Sequence, residues 1–284
     1  MTKLIALIDG SVYSQSVCDH AAWVAGRTHA SVDLLHVLKQ QGTTTQTADL
    51  SGSIGLGART ALLEELAELD AQKAKLAQKR GRHILDDAKG LLDAAGVGET
   101  HTKLRHGDVV ETVQECEDGA DLIVIGKRGE AADFNKLHLG SNLERIVRAS
   151  HKPVLVTSRA FKPIERFMVA FDGGESSLKA IQHIAHGELF IGLECHILMV
   201  GSERPEKREQ LETAADLLRA RGYKVQADLI SGQSDVVISE RIETDGIGLL
   251  VMGAYGHSRI RNLIIGSTTA EMLRSCKVPV MLFR

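Results

Sequence analysis

The chain has 284 residues, 43% hydrophobic and 25% charged, with a formal net charge of −3 at pH 7. That length suits two domains of ordinary size, and the composition is that of a soluble globular protein. The balance of charge gives no chain-wide attraction to nucleic acid or an anionic membrane, and no apolar run approaches the roughly 20 residues that span a bilayer.

The first element expected is the strand Leu4-Ile-Ala-Leu-Ile-Asp9, stopped by Asp9-Gly10. It meets an aspartate too early for a signal peptide. An amphipathic helix around Val17 to Gly26 and a second strand from Ser31 to Val37 follow. Residues Gln40 to Gly57 are rich in Thr, Gly, Ser and Gln, and charged helical sequence runs from about Ala58 to Ala95. Leu62, Leu66, Leu69, Leu76, Ile84, Leu85, Leu91 and Leu92 give that helix an apolar stripe. About 35 residues at 1.5 Å each reach roughly 50 Å, more than one small domain needs, and Gly81 is placed to divide or kink the helix. The expectation is an extended helix packed on its own domain; the alternative is an arm that reaches a partner or covers the other half. A further strand ends near Arg105-His106-Gly107-Asp108. The apolar run Leu122 to Ile125 then meets Gly126-Lys-Arg-Gly129 and, later, Gly140-Ser141. A helix from Asn142 to Ser150 and the strand Lys152-Pro153-Val-Leu-Val156 close the unit, and Pro163 marks a boundary within Ser158 to Ile164.

The second half repeats this order. Phe167 to Phe171 is an apolar strand stopped by Asp172-Gly173, with a helix from Leu178 to His186 and a second strand from Glu194 to Val200. The stretch Ile230-Ser231-Gly232-Gln233 matches the earlier His106-Gly107 step. Leu249 to Met252 runs into Gly253-Ala-Tyr-Gly256 and, nine residues on, Gly266-Ser267-Thr268. A helix from Thr269 to Cys276 and the strand Val278-Pro279-Val-Met-Leu282 finish the chain. Short continuous apolar strands alternating with helices imply parallel sheets covered on both faces. The fold class expected is therefore α/β, with two doubly wound units of five strands at 1–158 and 164–284, the first carrying the loop and helix insertion at about 40–95.

An apolar strand ending in glycines, with Gly-Ser-Thr opening a helix, presents bare backbone N–H groups to an anion. Glycine allows positive φ and admits a phosphate where a Cβ would block it, and the helix start adds unsatisfied donors and the positive end of its dipole. In order, Gly253, Gly256, Gly266 and Ser267 match the G-x-x-G-x(9)-G-[ST] signature of the universal stress protein family. With Asp9 and Asp172 after the first strands, Val37 and Val200 at the ends of the second, and the Pro-Val closing strands, the chain resembles that family in its tandem form. The resemblance implies two Rossmann-like domains, each a five-stranded parallel sheet with helices on both faces. It also implies a role in stress adaptation or signalling and ATP, or else ADP or AMP, bound with Mg2+ on the phosphates. Adenosine would lie near Asp172 and Val200, phosphates near Gly256, Gly266, Ser267 and Thr268, and Gly253 also counts among the binding residues. An aspartate repels phosphate yet accepts hydrogen bonds from ribose hydroxyls or the adenine amino group. His257, Arg259 and Arg261 bring donors or charge nearby.

The corresponding first-half set is Asp9, Val37, Gly126, Gly129, Gly140 and Ser141. Ten residues, not nine, separate Gly129 from Gly140, and Glu130 and Asp133 lie among them. The extra residue shifts the cradle and the carboxylates oppose phosphate, with Lys127, Arg128 and Lys136 offsetting them in part. Nucleotide binding is thus expected mainly in the second half. The resemblance further implies that the closing strands, Val154 to Thr157 and Val280 to Phe283, pair within one chain as a pseudo-dimer, with homodimer formation open and no protein partner named.

Other chemistries lack their parts. Phe171-Asp172-Gly173-Gly174-Glu175-Ser176-Ser177 looks like a pyrophosphatase S-G-G-x-D-S loop, but Asp172 stands where its first serine is needed. Neither G-x-x-x-x-G-K-[ST] nor a G-x-G-x-x-G after a first strand occurs. The twelve histidines show no H-x-x-x-H or H-E-x-x-H spacing, so no metal ligand or catalytic residue is assigned. Cys18, Cys116, Cys195 and Cys276 form no C-x-x-C pair and fit mostly buried, reduced thiols in a cytoplasmic protein. Two alternatives stay open at the level of sequence: slow ATP hydrolysis or phosphoryl transfer, and a nucleotide-free adaptor whose helical arm carries the partner contacts.

Overall fold

A computed structural model describes residues 1–38, 56–128, 141–254 and 266–284, and residues 56–61 and 141 by backbone alone. The first half runs β1 (Lys3–Leu7), α1 (Ser14–Thr28), β2 (Ser31–Leu38), α2 (Leu56–Ala94), β3 (Thr100–His106), α3 (Val109–Glu117), β4 (Leu122–Gly126), α4 (Ser141–Ala149) and β5 (Val154–Thr157). The second half repeats it as β6 (Arg166–Ala170), α5 (Glu175–His186), β7 (Glu194–Val200), α6 (Pro205–Arg219), β8 (Val225–Ile230), α7 (Ser234–Thr244), β9 (Leu249–Gly253), α8 (Ser267–Ser275) and β10 (Val280–Phe283). Helix starts fall a few residues earlier than hydrophobic periodicity alone suggests, because polar first-turn residues such as Ser14, Glu175 and Ser267 carry no apolar signal.

The strands form one ten-stranded sheet in the order β3-β2-β1-β4-β5-β10-β9-β6-β7-β8. Within each half every pairing is parallel. The halves join where β10 lies antiparallel to β5, with Val280 opposite Val156, Met281 opposite Leu155 and Leu282 opposite Val154. Strand alternation sorts the side chains onto two faces. Leu4, Ala6, Leu155, Val169, Val251 and Met281 pack under α1, α2, α5 and α6. Ile5, Val154, Val156, Leu250 and Leu282 pack under α3, α4, α7 and α8. Both cores run across β5 and β10 from one half into the other.

One carboxylate is held inside this framework. Asp33, 1% exposed on β2, lies 2.9 Å from Lys3 Nζ on β1 and 2.7 Å from Lys103 Nζ on β3. Burial alone would raise its pKa, but hydrogen bonds from Lys103 and Lys3 outweigh that and hold it below the ordinary aspartate value. The cysteines are free thiols, with Cys18, Cys195 and Cys276 buried and Cys116 half-buried. Burial, aided by nearby Asp19, pushes Cys18 up to about 12, which makes its thiolate and hence its reactivity negligible at neutral pH.

Helix α2 corrects two expectations. It is one unbroken helical span through Gly81, which does not divide it. A Cβ there would stand 2.8 Å from Leu104 Cδ1 and 3.0 Å from His36 Cδ2, so this glycine lets the helix pass close over β2 and β3. Nor is there a single apolar stripe. Leu85, Ala88 and Leu92 are buried and Ile84 and Leu91 pack beside them, whereas Leu62, Leu66, Leu69 and Leu76 are 37 to 68% exposed. At about 100° per residue, the exposed leucines lie roughly a third of a turn from Leu85, Ala88 and Leu92, on the side of half-buried Ile84 and Leu91. The stretch 39–55 that precedes this helix lies outside the described residues.

The helix glycines give an internally controlled test. Gly81→Val is expected to cost about 2 kcal/mol, because Leu104 and His36 must both move for a branched side chain. A Cβ at Gly90 meets nothing within 4 Å, so Gly90→Ala is expected to gain about 0.5 kcal/mol of helix propensity. Urea midpoints measured on both variants check the sign of each change; equal effects would remove the close-approach argument for Gly81.

Candidate functional site

In each half all strands run parallel, but the order in which they are added reverses between the first and fourth strands, at β1/β4 and at β6/β9. Crossovers leave that point to opposite faces, so a crevice opens at the carboxyl ends of the strands. In the second half it holds a cavity of about 340 Å³, within the size range of small-molecule sites. Ala170, Phe171 and Asp172 follow β6 into it, Leu198 and Val200 come from β7, and Met252 and Gly253 from β9. Ser234 and Ile238 of α7 and Gly266, Ser267, Thr268 and Thr269 at the start of α8 complete the described wall. Thus Asp172, Val200, Gly253, Gly266, Ser267 and Thr268, chosen from sequence, all line one cavity. Gly256, His257, Arg259 and Arg261 lie outside the described residues.

Backbone geometry makes the α8 side a donor surface. Gly266 is the N-cap, at φ −54° and ψ 143°, and among the described residues no side chain caps the helix. Gly266 N–H donates to Ala254 O at 3.3 Å and Ala270 N–H to Gly266 O at 2.8 Å. The N–H groups of Ser267, Thr268 and Thr269 therefore have no intrahelical acceptor. The first turn of α8 carries no acidic residue, whereas α4 to α7 carry Glu144, Glu175, Glu206 and Asp235 in theirs. Thr269 Oγ1 donates to Gly253 O at 3.1 Å, bracing this turn against the end of β9. Gly253 itself sits against α5, where a Cβ would come within 3.0 Å of Ser176 Cβ and 3.4 Å of Ser177 N.

Asp172, at the end of β6 in the same lining, is fixed by its own loop. Its Oδ1 accepts from Gly174 N–H at 2.9 Å and from Ser177 Oγ at 2.7 Å, and Gly173 turns the chain at φ 75°. Between Asp172 and α8 the wall is apolar, built from Phe171, Leu198, Val200, Ile238 and Met252. The arrangement can seat a ligand with an apolar ring at its centre, a hydroxyl or amino donor toward Asp172, and an anionic group on the start of α8.

The first half places Asp9, Val37 and Gly126 at its carboxyl edge in the same relation: Leu7 pairs with both Leu35 and Ile125, and each of the three residues follows close behind. Gly129 and Gly140 lie outside the described residues, and Ser141 opens α4. The surroundings differ. Tyr13 is buried against Gly126, where a Cβ would come within 2.9 Å of Tyr13 Cβ; Ser176 holds the corresponding place in the second half. Asp108 caps α3 through Val110 N–H and Glu111 N–H and pairs with Arg145 at 2.9 Å, and Glu144 lies in the first turn of α4. At the matching positions of the second half stand Gln233 and Ala270, which carry no charge.

Sequence reading missed Ser234, Thr269 and the apolar wall. Ser234 had a usable signal, since it follows the Gly232 step at the carboxyl edge. Lys207 also escaped notice. It stands on the first turn of α6 with Nζ against Gly201, just beyond Val200, and brings a positive charge to the rim. Among the described residues no group of three His, Cys, Asp or Glu side chains is placed to hold a metal ion, and no helix is long and apolar enough to cross a membrane.

The model of the universal stress protein family matches residues 1–158 and 196–284. The chain belongs to the universal stress protein family. Universal stress protein Slr1230 of Synechocystis sp. is 37% identical over 287 residues, covering all of both chains. A universal stress protein of Mycolicibacterium smegmatis is 24% identical over 98% of this chain and 95% of its own. In three dimensions the chain is similar to a universal stress protein from Archaeoglobus fulgidus, with a TM-score of 0.71, 20% identity and coverage of 99% and 96%. Full-length matches to universal stress proteins agree with a tandem arrangement of the two halves.

Proposed function

We propose that the second half binds an adenine nucleotide, ATP in first place and ADP or AMP by the same contacts, and that the chain acts in the cytoplasm in stress adaptation or signalling rather than in turnover. The observation that carries this reading is the uncapped start of α8, free of acid and braced to β9, facing a 340 Å³ crevice whose lining includes Asp172. Phosphates rest on the N–H groups of Ser267, Thr268 and Thr269, Mg2+ sits on phosphate oxygens with few protein ligands, and Lys207 adds charge at the rim. Adenine fills the apolar middle and the ribose or exocyclic amine donates to Asp172. Glu144, Asp108 and buried Tyr13 support a single working site.

The test is nucleotide content: chain purified without added ligand is denatured, released nucleotides are identified by mass spectrometry, and ATP and AMP are titrated in the presence of Mg2+. About one nucleotide per chain is expected. Two would assign the first crevice as well, and none at millimolar ATP would overturn the proposal.

A further inference from the structure

The exposed half of α2 has the pattern of a helix that meets another helix. Leu62, Leu66, Leu69, Lys73, Leu76 and Arg80 recur at alternating spacings of four and three, the seam of a two-stranded coiled coil. The four leucines are 37 to 68% exposed, and α2 is anchored through its C-terminal half on α1, β2 and β3. The seam centres about a third of a turn from the buried Leu85, Ala88 and Leu92, toward half-buried Ile84 and Leu91, and its leucines stay exposed in the folded chain.

Charge on the same stretch is divided into two blocks. Glu64, Glu65, Glu68 and Asp70 come first, and Lys73, Lys75, Lys79, Arg80 and Arg82 follow. We infer that this half-helix is a self-association surface, on which α2 of a second copy of the chain lies antiparallel, centred near Ala71. That register sets Leu66 opposite Leu76 and lays the acidic block of each helix along the basic block of the other. Lys73 comes opposite Leu69, covering it with its aliphatic stem while its ammonium lies between Glu68 and Asp70 of the other copy. A parallel pair would set like charge against like. Lys73 lies 3.6 Å from Asp70 of its own helix, an exposed pair of the kind that contributes little. Alanine, leucine, glutamate, lysine and glutamine fill the stretch, so the helix is preformed by propensity and little ordering opposes association. The inference is independent of the nucleotide site.

Three heptads make a short seam, so association is weak and must be followed over a concentration series of about 1 to 300 µM. Sedimentation equilibrium of the full chain is expected to show monomer and dimer at low salt and mostly monomer at about 0.5 M salt, where charges are screened. One variant carries Glu64→Lys, Glu65→Lys and Glu68→Lys; another carries Lys73→Glu, Lys75→Glu and Lys79→Glu. Each alone is expected to be monomeric, and an equimolar mixture is expected to restore the dimer. Leu66→Ser with Leu69→Ser should abolish it while circular dichroism stays unchanged. A dimer that survives either charge variant would use another surface and overturn the inference. So would a wild-type chain monomeric throughout; if that monomer floated with anionic phosphatidylglycerol vesicles, the seam would belong to a membrane surface instead.

Discussion

Thr268→Glu is expected to leave the unliganded protein as stable as before, or slightly more so, while weakening ATP binding about a hundredfold. The two effects separate because they act on the same electrostatics with opposite sign. Thr268 is the second residue of a helix whose first turn has no acid and whose cap has no side-chain acceptor. A carboxylate there meets the positive end of the dipole and gains about 0.3–1 kcal/mol. With phosphate seated on the same N–H groups it meets like charge instead. Two unit charges about 4 Å apart near a protein surface cost about 4 kcal/mol, and Mg2+ and solvent reduce that toward the 2.7 kcal/mol of a hundredfold loss. Calorimetric titration with ATP and thermal melting without it measure the two halves of the prediction. Asn142→Glu, at the matching position of α4, is the control and should leave affinity unchanged. Unaltered binding by Thr268→Glu would remove the phosphate from α8, and a loss of binding that came with a lower melting temperature would show only damage to the fold.

The second large effect is expected at Asp33. Asp33→Asn keeps the shape and removes the charge, leaving Lys3 and Lys103 facing each other across β2. Breaking a buried pair costs about 3–5 kcal/mol. Both lysines are about 30% exposed and partly rehydrate, so a loss of about 2–3 kcal/mol is expected. The sign with pH follows from the depressed carboxyl. A group whose folded pKa lies below its unfolded value stabilises fully above the unfolded value, near 3.9, and loses that contribution as pH falls through the folded one. Wild type should therefore exceed Asp33→Asn at pH 7, and the gap should narrow below about pH 4. Urea denaturation at pH 7, 5 and 3.5 reads this out; a gap independent of pH would make the effect steric.

How far such sites are visible beforehand depends on what signal a residue leaves. The central strands are legible because a parallel strand covered on both faces, such as Leu249 to Met252, is apolar at every position, while the polar edge strands β3 and β8 are found only by their place in the repeat. Gly266 and Ser267 stand out because a glycine-to-helix step has few other uses, whereas Asp172 and Val200 come from the family resemblance, and all four line one cavity. Thr269 left little trace, since a hydroxyl that braces one loop looks like any other threonine, whereas Ser234 could have been found from the Gly232 step that precedes it. Gly81 misled for a physical reason: propensity says that glycine weakens a helix, while its close approach to Leu104 and His36 depends on a neighbour far off in the chain. The split of the α2 leucines into two faces was hidden similarly, because heptad spacing does not say where the domain ends and solvent begins. The buried ion triad of Lys3, Asp33 and Lys103 needed strand order, which periodicity does not contain.

The seam between β5 and β10 is only a few residues long, with three paired positions. Two separate chains joined by so little would dissociate on dilution unless their helices added much more, but the covalent connection from Thr157 to Arg166 holds the partners at an effective concentration in the millimolar range. It also breaks an obligation of symmetry. In a homodimer any replacement enters both crevices at once, whereas in this chain each can change alone. Tyr13 against Ser176, and Glu144 against Ala270, are differences that only such a fused pair can carry. One crevice can then lose its ligand without the other losing a copy of the same wall.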